Sequence, residues 1–472
     1  TAVFGNCGVG FAPVKPGAES YLINLMEGVE DIPETVLSEG LEVRGESFGE
    51  YLDVLAETPR VMDIGAQVPH GALRFYVMGD RGADHCEVPT DDEITRMGVL
   101  LEQALHDGAL GFTTSRTTKH RAADGRPTPT LSAEEPELAG IALAMKRAAK
   151  GVIEVNSDFG AGDFERLKAV AELAERPLSV LLVQVDNAPE LWAQTLAGVD
   201  RAAQQGLDFT AQVGSRAIGM VMGLRASIHP FLTHPLWQGL ASLSHTDRIA
   251  KIHADQGLRA RLVNELPDDG HLKWMTAALE RTFEINTPID LEPKAEDSVA
   301  ARARAAHRDV FDFALECLLA DDGEALLMHP FENYHSGDLS VVETMLRGPN
   351  TVCGVADAGA HVGIICDASS PTSLLTHWAR DRSRGPCLGL EHLVHKQTQA
   401  TARVYGLNDR GVLAPGYRAD FNVIDFASLA LEKPYITHDL PAGGRRIVQR
   451  ARGYCHTFVA GHEVTRAGVA TG

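Results

Sequence analysis

Cys7 is the first side chain in this sequence with the chemistry to hold a metal. It follows the apolar residues Ala2–Phe4 in TAVFGNCGVG. Gly5, Gly8 and Gly10 let the backbone turn sharply there, and a thiolate is a soft ligand. As a small hydrophobe the same side chain would only pack. Asp357 ends the apolar run Thr351–Asp357 and precedes Ala-Gly-Ala-His. A carboxylate at the end of a buried strand can ligate a metal and act as general base toward an activated water. It can equally cap the turn that follows. His70 in QVPHGALR, His329 in LLMHPFENY and His229 in SIHPF are candidates for touching a substrate. HPF is also a stiff turn in which Phe packs. Arg380 and Arg382, in THWARDR on an expected helix after Asp367, offer bidentate binding of a substrate carboxylate. Pairing with neighbouring acids is their alternative.

The elements that would carry these residues alternate. Apolar runs at Ala2–Cys7, Val61–Val68, Leu110–Ser115, Val152–Asp158, Leu178–Val185, Phe209–Val213 and Thr351–Asp357 read as strands. Most are continuously apolar, as parallel strands covered on both faces are. Amphipathic helical patterns lie between them, at Glu93–Gly108 and Phe164–Glu175 for example. Strand–helix alternation predicts a right-handed parallel α/β sheet. Seven strands with polar residues at their C-terminal ends suggest a (β/α)₈ TIM-type barrel short of its first strand.

The segment 214–348 is too long for one connection and reads as a mostly helical inserted cap, either a lid or an oligomerisation element. After Gly406 short strands punctuated by Gly and Pro predict a small β-domain. The expected division is residues 1–405 for the barrel with its cap and 406–472 for the β-domain.

Bulk properties narrow the class. The 472 residues are 44% hydrophobic and 23% charged, with a net charge of −21. That charge opposes nucleic acid or an anionic membrane as partner. Seven scattered cysteines without a CxxC predict a reduced, cytoplasmic chain rather than a disulfide framework.

Taken in order, GNCGVGFAPV, GVEDIP, GAQVPHGALR, GALGFTTSR, DAGAHVG, THWARDR and RGVLAPGYRADFNVID resemble the amidohydrolase superfamily. The D-aminoacylase branch, the N-acyl-D-amino-acid deacylases, is the nearest in pattern, and the resemblance covers essentially the whole chain. It implies a metal-dependent hydrolase of linear amide C–N bonds, with zinc as cofactor and one ion rather than two. Cys7 then matches a metal ligand at the end of strand two. Asp357 matches the strand-eight aspartate that takes the proton of the attacking water and returns one to the leaving amine. His70 matches a histidine after strand three with a part in polarising substrate, and a small acylated amine or amino acid is the implied partner. A cyclic-amide hydrolase is the second reading, opposed by the lack of a lysine at any strand end. A ligand-depleted scaffold is the third.

Two departures from the family pattern stand out. A His-x-His pair on the first strand is expected, yet no HxH occurs in the sequence. This predicts an N-terminally incomplete sequence. The middle strands end in Asn156 and Asp158, in Gln184 and Asp186, and in Gln212, where relatives carry ligand histidines. Neutral amides are poor zinc ligands.

Overall fold

The structure, a computed structural model, describes residues 1–356 and 359–471. Asp357 lies outside the described residues. The first eleven strands in chain order are β1 (Ala2–Phe4), β2 (Ile64–Ala66), β3 (Val68–Pro69), β4 (Gly111–Arg116), β5 (Val152–Ser157), β6 (Leu178–Leu182), β7 (Phe209–Val213), β8 (Ile218–Met222), β9 (Phe283–Glu284), β10 (Leu327–Glu332) and β11 (Thr351–Cys353). Six of them form one parallel sheet in the order β11-β7-β6-β5-β4-β3. β1 pairs in parallel with β2, with Val3 opposite Gly65. The register is continuous through the middle of the sheet, with Ile153 of β5 opposite both Phe112 of β4 and Leu178 of β6. Among the described residues no pairing joins β11 to β1.

Val152, Ile153, Val155, Leu178, Val180, Phe209 and Ala211 are all buried, which is why these strands read as apolar runs. Helices cover them. One, Asp91–Asp107, starts at a reciprocal cap in which Thr90 and Glu93 bond each other's backbone, and it ends at Gly108 with φ 124°. Buried Met97, Leu101 and Leu105 on this helix share one core cluster with Phe112 and Ile153.

The long segment after β7 differs from expectation in its strands. β8, β10 and β9 form a three-stranded antiparallel sheet, so Leu327–Glu332 is a strand within a segment expected to be mostly helical. A short, largely apolar run cannot be told from a buried helical segment by periodicity alone. The helices around it bury a separate cluster that includes Phe231, Met275, Leu315 and Leu318. The helix Ser340–Arg347 instead returns Val342, Met345 and Leu346 to the main core.

A buried ion pair fastens the segment to the parallel sheet's surroundings. Arg382 donates Nε to Glu292 Oε2 at 3.1 Å and Nη2 to Glu292 Oε1 at 3.2 Å. Its Nη1 reaches Glu343 Oε2 at 2.5 Å, and its guanidinium lies 4.5 Å from the Trp378 ring centroid. Burial alone would raise the Glu292 carboxyl, but His377, Arg382 and the Leu339 amide together bring it down to about 2. An ionised carboxylate whose folded pKa is depressed stabilises the fold above its unfolded pKa. That contribution is lost as pH falls from the ordinary value of 4.5 toward 2. Its full size is on the order of 3 kcal/mol. Melting temperature should therefore fall between pH 5 and about 2 more steeply for the parent than for Glu292→Gln.

The tail contains β12 (Phe421–Ile424), β13 (Ala430–Leu431), β14 (Tyr435–Thr437), β15 (Arg446–Val448), β16 (Ala451–Arg452), β17 (Tyr454–Val459), β18 (His462–Arg466) and β19 (Val469–Ala470). β12-β17-β18-β19 is a four-stranded antiparallel sheet, and β13-β16 and β14-β15 are two-stranded pairs.

Candidate active site

A cavity of about 1190 Å³ runs between β1 and β11 and is lined by Asn6, Cys7, Gln67, Glu154, Gln212 and Tyr405 among others. It also touches Val352–Ala356, the residues that lead to Asp357. The C-terminal ends of parallel strands are where α/β enzymes place reactive groups, because connecting loops converge there. β1 ends at Phe4, and the chain then turns through Gly5 and Gly8, with φ 110° and 70°. A Cβ on Gly8 would stand 2.6 Å from the Ser115 amide nitrogen, so only glycine lets this turn lie against β4. Cys7, half-buried, is held in that turn and packs beside Val9, Leu25, Val29 and Ala122.

Other polar groups gather at this end of the sheet. His120, from the loop after β4, bonds through Nδ1 to Ser115 Oγ at 2.9 Å, and its Nε2 lies 3.3 Å from Asn156 Nδ2. Burial, then the charges of His361 and Lys119, lower its pKa to about 4, so the ring is neutral at neutral pH. His361 Nε2 stands 3.5 Å from Glu30 Oε2. Sequence reading passed over His120, Glu30 and Glu154. For His120 the signal was its place directly after a strand end, shared by many ordinary histidines.

The remaining expected site residues lie elsewhere. His70 is fully buried, with Nδ1 2.9 Å from Thr114 Oγ1 and Nε2 3.0 Å from Glu137 Oε1. Glu137 also takes Arg74 Nη1 at 3.3 Å. Thr113 donates to the Asn6 carbonyl, so by strand alternation its neighbour Thr114 faces the helices on the other side, and His70 goes with it. Both ring nitrogens are thus engaged away from the cavity, which leaves none for polarising a substrate there. Arg382 is spent on Glu292 and Glu343. Arg380 pairs with Asp381 and donates to the carbonyls of Phe426, Ala427 and Leu429, tying its helix to the tail. His329 lies on β10, where Nδ1 is 3.1 Å from the Ala278 carbonyl and the ring meets Trp274 edge-on at 5.5 Å. None of these four lines the cavity. Substrate-holding roles for Arg380, Arg382 and His329 therefore do not match their positions, because each is already committed to packing or pairing.

A metal can be tested against the donors that are present. In type they fit a zinc-like ion: the Cys7 thiol, the imidazoles of His120 and His361, and the Glu30 carboxylate. Among the described residues no three of these donors lie within 4.8 Å of one another; only Asp84, His85 and Cys86, far along the chain and mostly exposed, meet that distance. The mid-strand amides are taken up internally. Gln184 Oε1 accepts from the His335 amide at 3.2 Å, and Gln212 Nε2 donates to Ser179 Oγ at 3.0 Å and to Glu154.

Parallel strands ending in a cysteine turn beside a large cavity make a candidate site at the sheet's C-terminal edge. Residues 1–465 match the model of the amidohydrolase family, and the chain belongs to that family. It is 36% identical to D-aminoacylase of Alcaligenes xylosoxydans xylosoxydans over 114 residues, 24% of this chain and 20% of that protein. The aligned part thus spans about a fifth of that relative. It is 25% identical to N-acyl-D-aspartate deacylase of the same organism over 429 residues, 91% of this chain and 70% of the relative. In fold it is similar to N-acyl-D-glutamate deacylase from Bordetella bronchiseptica, solved with zinc and a phosphonate mimic of the tetrahedral intermediate. The TM-score is 0.56 at 21% identity, over 100% of this chain and 81% of that one.

Proposed function

We propose that this protein deacylates an N-acyl-D-amino acid, hydrolysing its linear amide C–N bond with a metal-activated water. The observation that carries the reading is the Cys7 turn, which opens onto the same cavity as the residues leading from β11 to Asp357. Similarity to the named deacylases supports the substrate class. A zinc ion bound at this end would supply an activated water and a polarised carbonyl at neutral pH. Cys7 is the proposed thiolate holding it, with Asp357 as a further ligand. Asp357 takes the proton of the attacking water and passes one to the departing amine nitrogen, so that the products are a carboxylic acid and a free amino acid. The parallel strands are, in this proposal, those of a (β/α)₈ barrel with the cavity between its two sheet edges, and the tail sheets form a small β-sandwich.

The engagement of Asn156, Gln184 and Gln212 in hydrogen bonds with the protein favours a second reading, a barrel that has lost its ligands and serves as a scaffold. The two separate in one experiment. Purified protein is analysed for zinc and incubated with N-acetyl-D-amino acids, their L-enantiomers and a hydantoin, and free amine is measured. About one zinc per chain with release from the D-series is expected. Neither metal nor turnover supports the scaffold, and turnover of the hydantoin alone supports a cyclic-amide hydrolase.

A further inference from the structure

A carboxylate and three amide side chains form an unbroken hydrogen-bonded line from the middle of the sheet to the turn that carries Cys7. Glu154, on β5, is 1% exposed, and Gln67 and Gln212 beside it are 2% and 5% exposed. Gln67 Nε2 and Gln212 Nε2 each donate to one Glu154 oxygen, and Tyr405 OH donates at 3.1 Å. An ionised carboxylate only accepts, so both glutamines must turn their amino groups toward it. With Nε2 committed, Gln212 presents Oε1 outward, and Oε1 accepts from Asn6 Nδ2 at 3.2 Å. Thr113 Oγ1 holds the Asn6 carbonyl at 3.0 Å. Asn6 is therefore gripped at side chain and main chain, one residue before Cys7.

The line has an internal cost. It leaves Asn6 Oδ1 and Gln67 Oε1 buried and, among the described residues, without partners. Each such group loses its water without a hydrogen bond in return, which costs stability. Burial also raises the Glu154 carboxyl, against the pull of its three donors. An apolar interior of the same shape would avoid these penalties. What the polar line supplies is direction: its end at Asn6 is set by its start at Glu154.

We propose that Glu154 is a positioning residue which, through Gln212 and Asn6, fixes the turn that presents Cys7 to the cavity. Its value to the enzyme rests on the reading of Cys7 as the metal-holding thiolate; the fixed turn itself does not.

The test is the rate of iodoacetamide alkylation of Cys7 in the whole chain, followed by peptide mass spectrometry, in chelator-treated and zinc-loaded protein. Glu154→Leu removes both acceptors, so Gln212 Nε2 loses its anchor on β5 and the amide that holds Asn6 is no longer fixed in direction. Alkylation of Cys7 in chelated protein should rise at least fivefold, while buried Cys317 stays protected. The double variant Glu154→Gln, Gln212→Glu moves the charge one link along and keeps the direction, since the new amide donates to the new carboxylate and that carboxylate accepts from Asn6. It should return the rate to within twofold of the parent, which mere loosening of the core would not do. Asn6→Ala cuts the line at its far end and should match Glu154→Leu, and it decides the matter should Glu154→Leu fail to fold. An unchanged Cys7 rate in the folded variant, or a rise that the double variant does not restore, overturns the proposal. Zinc that fails to protect Cys7 in the parent overturns the metal reading instead and leaves the positioning result intact.

Discussion

Asp357→Asn is expected to lower kcat/KM for the deacylated substrate by about 10²–10⁴-fold. That is roughly 3–5 kcal/mol of lost transition-state stabilisation. The substitution keeps shape and removes the proton acceptor. In the proposed reaction the attacking water must lose a proton as the C–O bond forms, and the amine must gain one as the C–N bond breaks. A neutral amide does neither. It is also a poor zinc ligand, so zinc is measured on the same preparation and activity is assayed with added metal. Full metal content with lost turnover isolates the proton transfer. Activity within threefold of the parent would leave the scheme without its base and defeat it. Melting temperature should change little, which separates this effect from unfolding.

Arg382→Ala is expected to destabilise the chain by about 3–5 kcal/mol, read from chemical-denaturation midpoints. The size follows from burial. Arg382 and Glu292 side chains are 1% and 2% exposed, so removal of the guanidinium strands a carboxylate away from water. Arg382→Lys should recover only part of the loss, because an ammonium cannot make two parallel bonds to Glu292 while reaching Glu343. Glu292 lies between β9 and the helix Val299–Ala305, and Arg382 follows the π-helical turn Leu374–Asp381, so the pair joins segments 90 residues apart. A loss below about 1 kcal/mol would mean that Glu292 regains water in the variant, and the long segment would then be held by its apolar contacts instead.

Several parts of the molecule were legible in the residues. The parallel strands were, because burial on both faces demands continuous apolar runs; Phe209–Val213 was read to the residue. The helix expected over Glu93–Gly108 from its periodicity was legible too, and it spans Asp91–Asp107. The run Val61–Val68 was legible only in part: β2 begins at Ile64, and exposed Val61 and Met62 before it lie in irregular chain despite their apolar character. β10 was missed because His329-Pro330 stands inside its six residues, and Pro within a run argues against a strand.

The candidate site divides in the same way. Residue type and local turn chemistry pointed to Cys7, whose glycine neighbours are required by close approach of the backbone to β4. Type and spacing could not separate histidines and arginines that meet substrate from those that meet other side chains. Arg380, Arg382, His70 and His329 were plausible by type, and long-range partners claimed them: Leu429, Glu292, Glu137 and Ala278 respectively.

The sequence by itself therefore determined the family, the alternating α/β order and the cysteine turn, because these depend on local pattern and on motifs short enough to read along the chain. Tertiary structure alone decided which charged and polar side chains are spent inside the protein. It also revealed the line from Gln67 through Glu154 and Gln212 to Asn6, whose members come from four separate segments. A hydrogen bond's partner and direction are set by what folding brings within 3 Å of it, and no spacing along the chain encodes that.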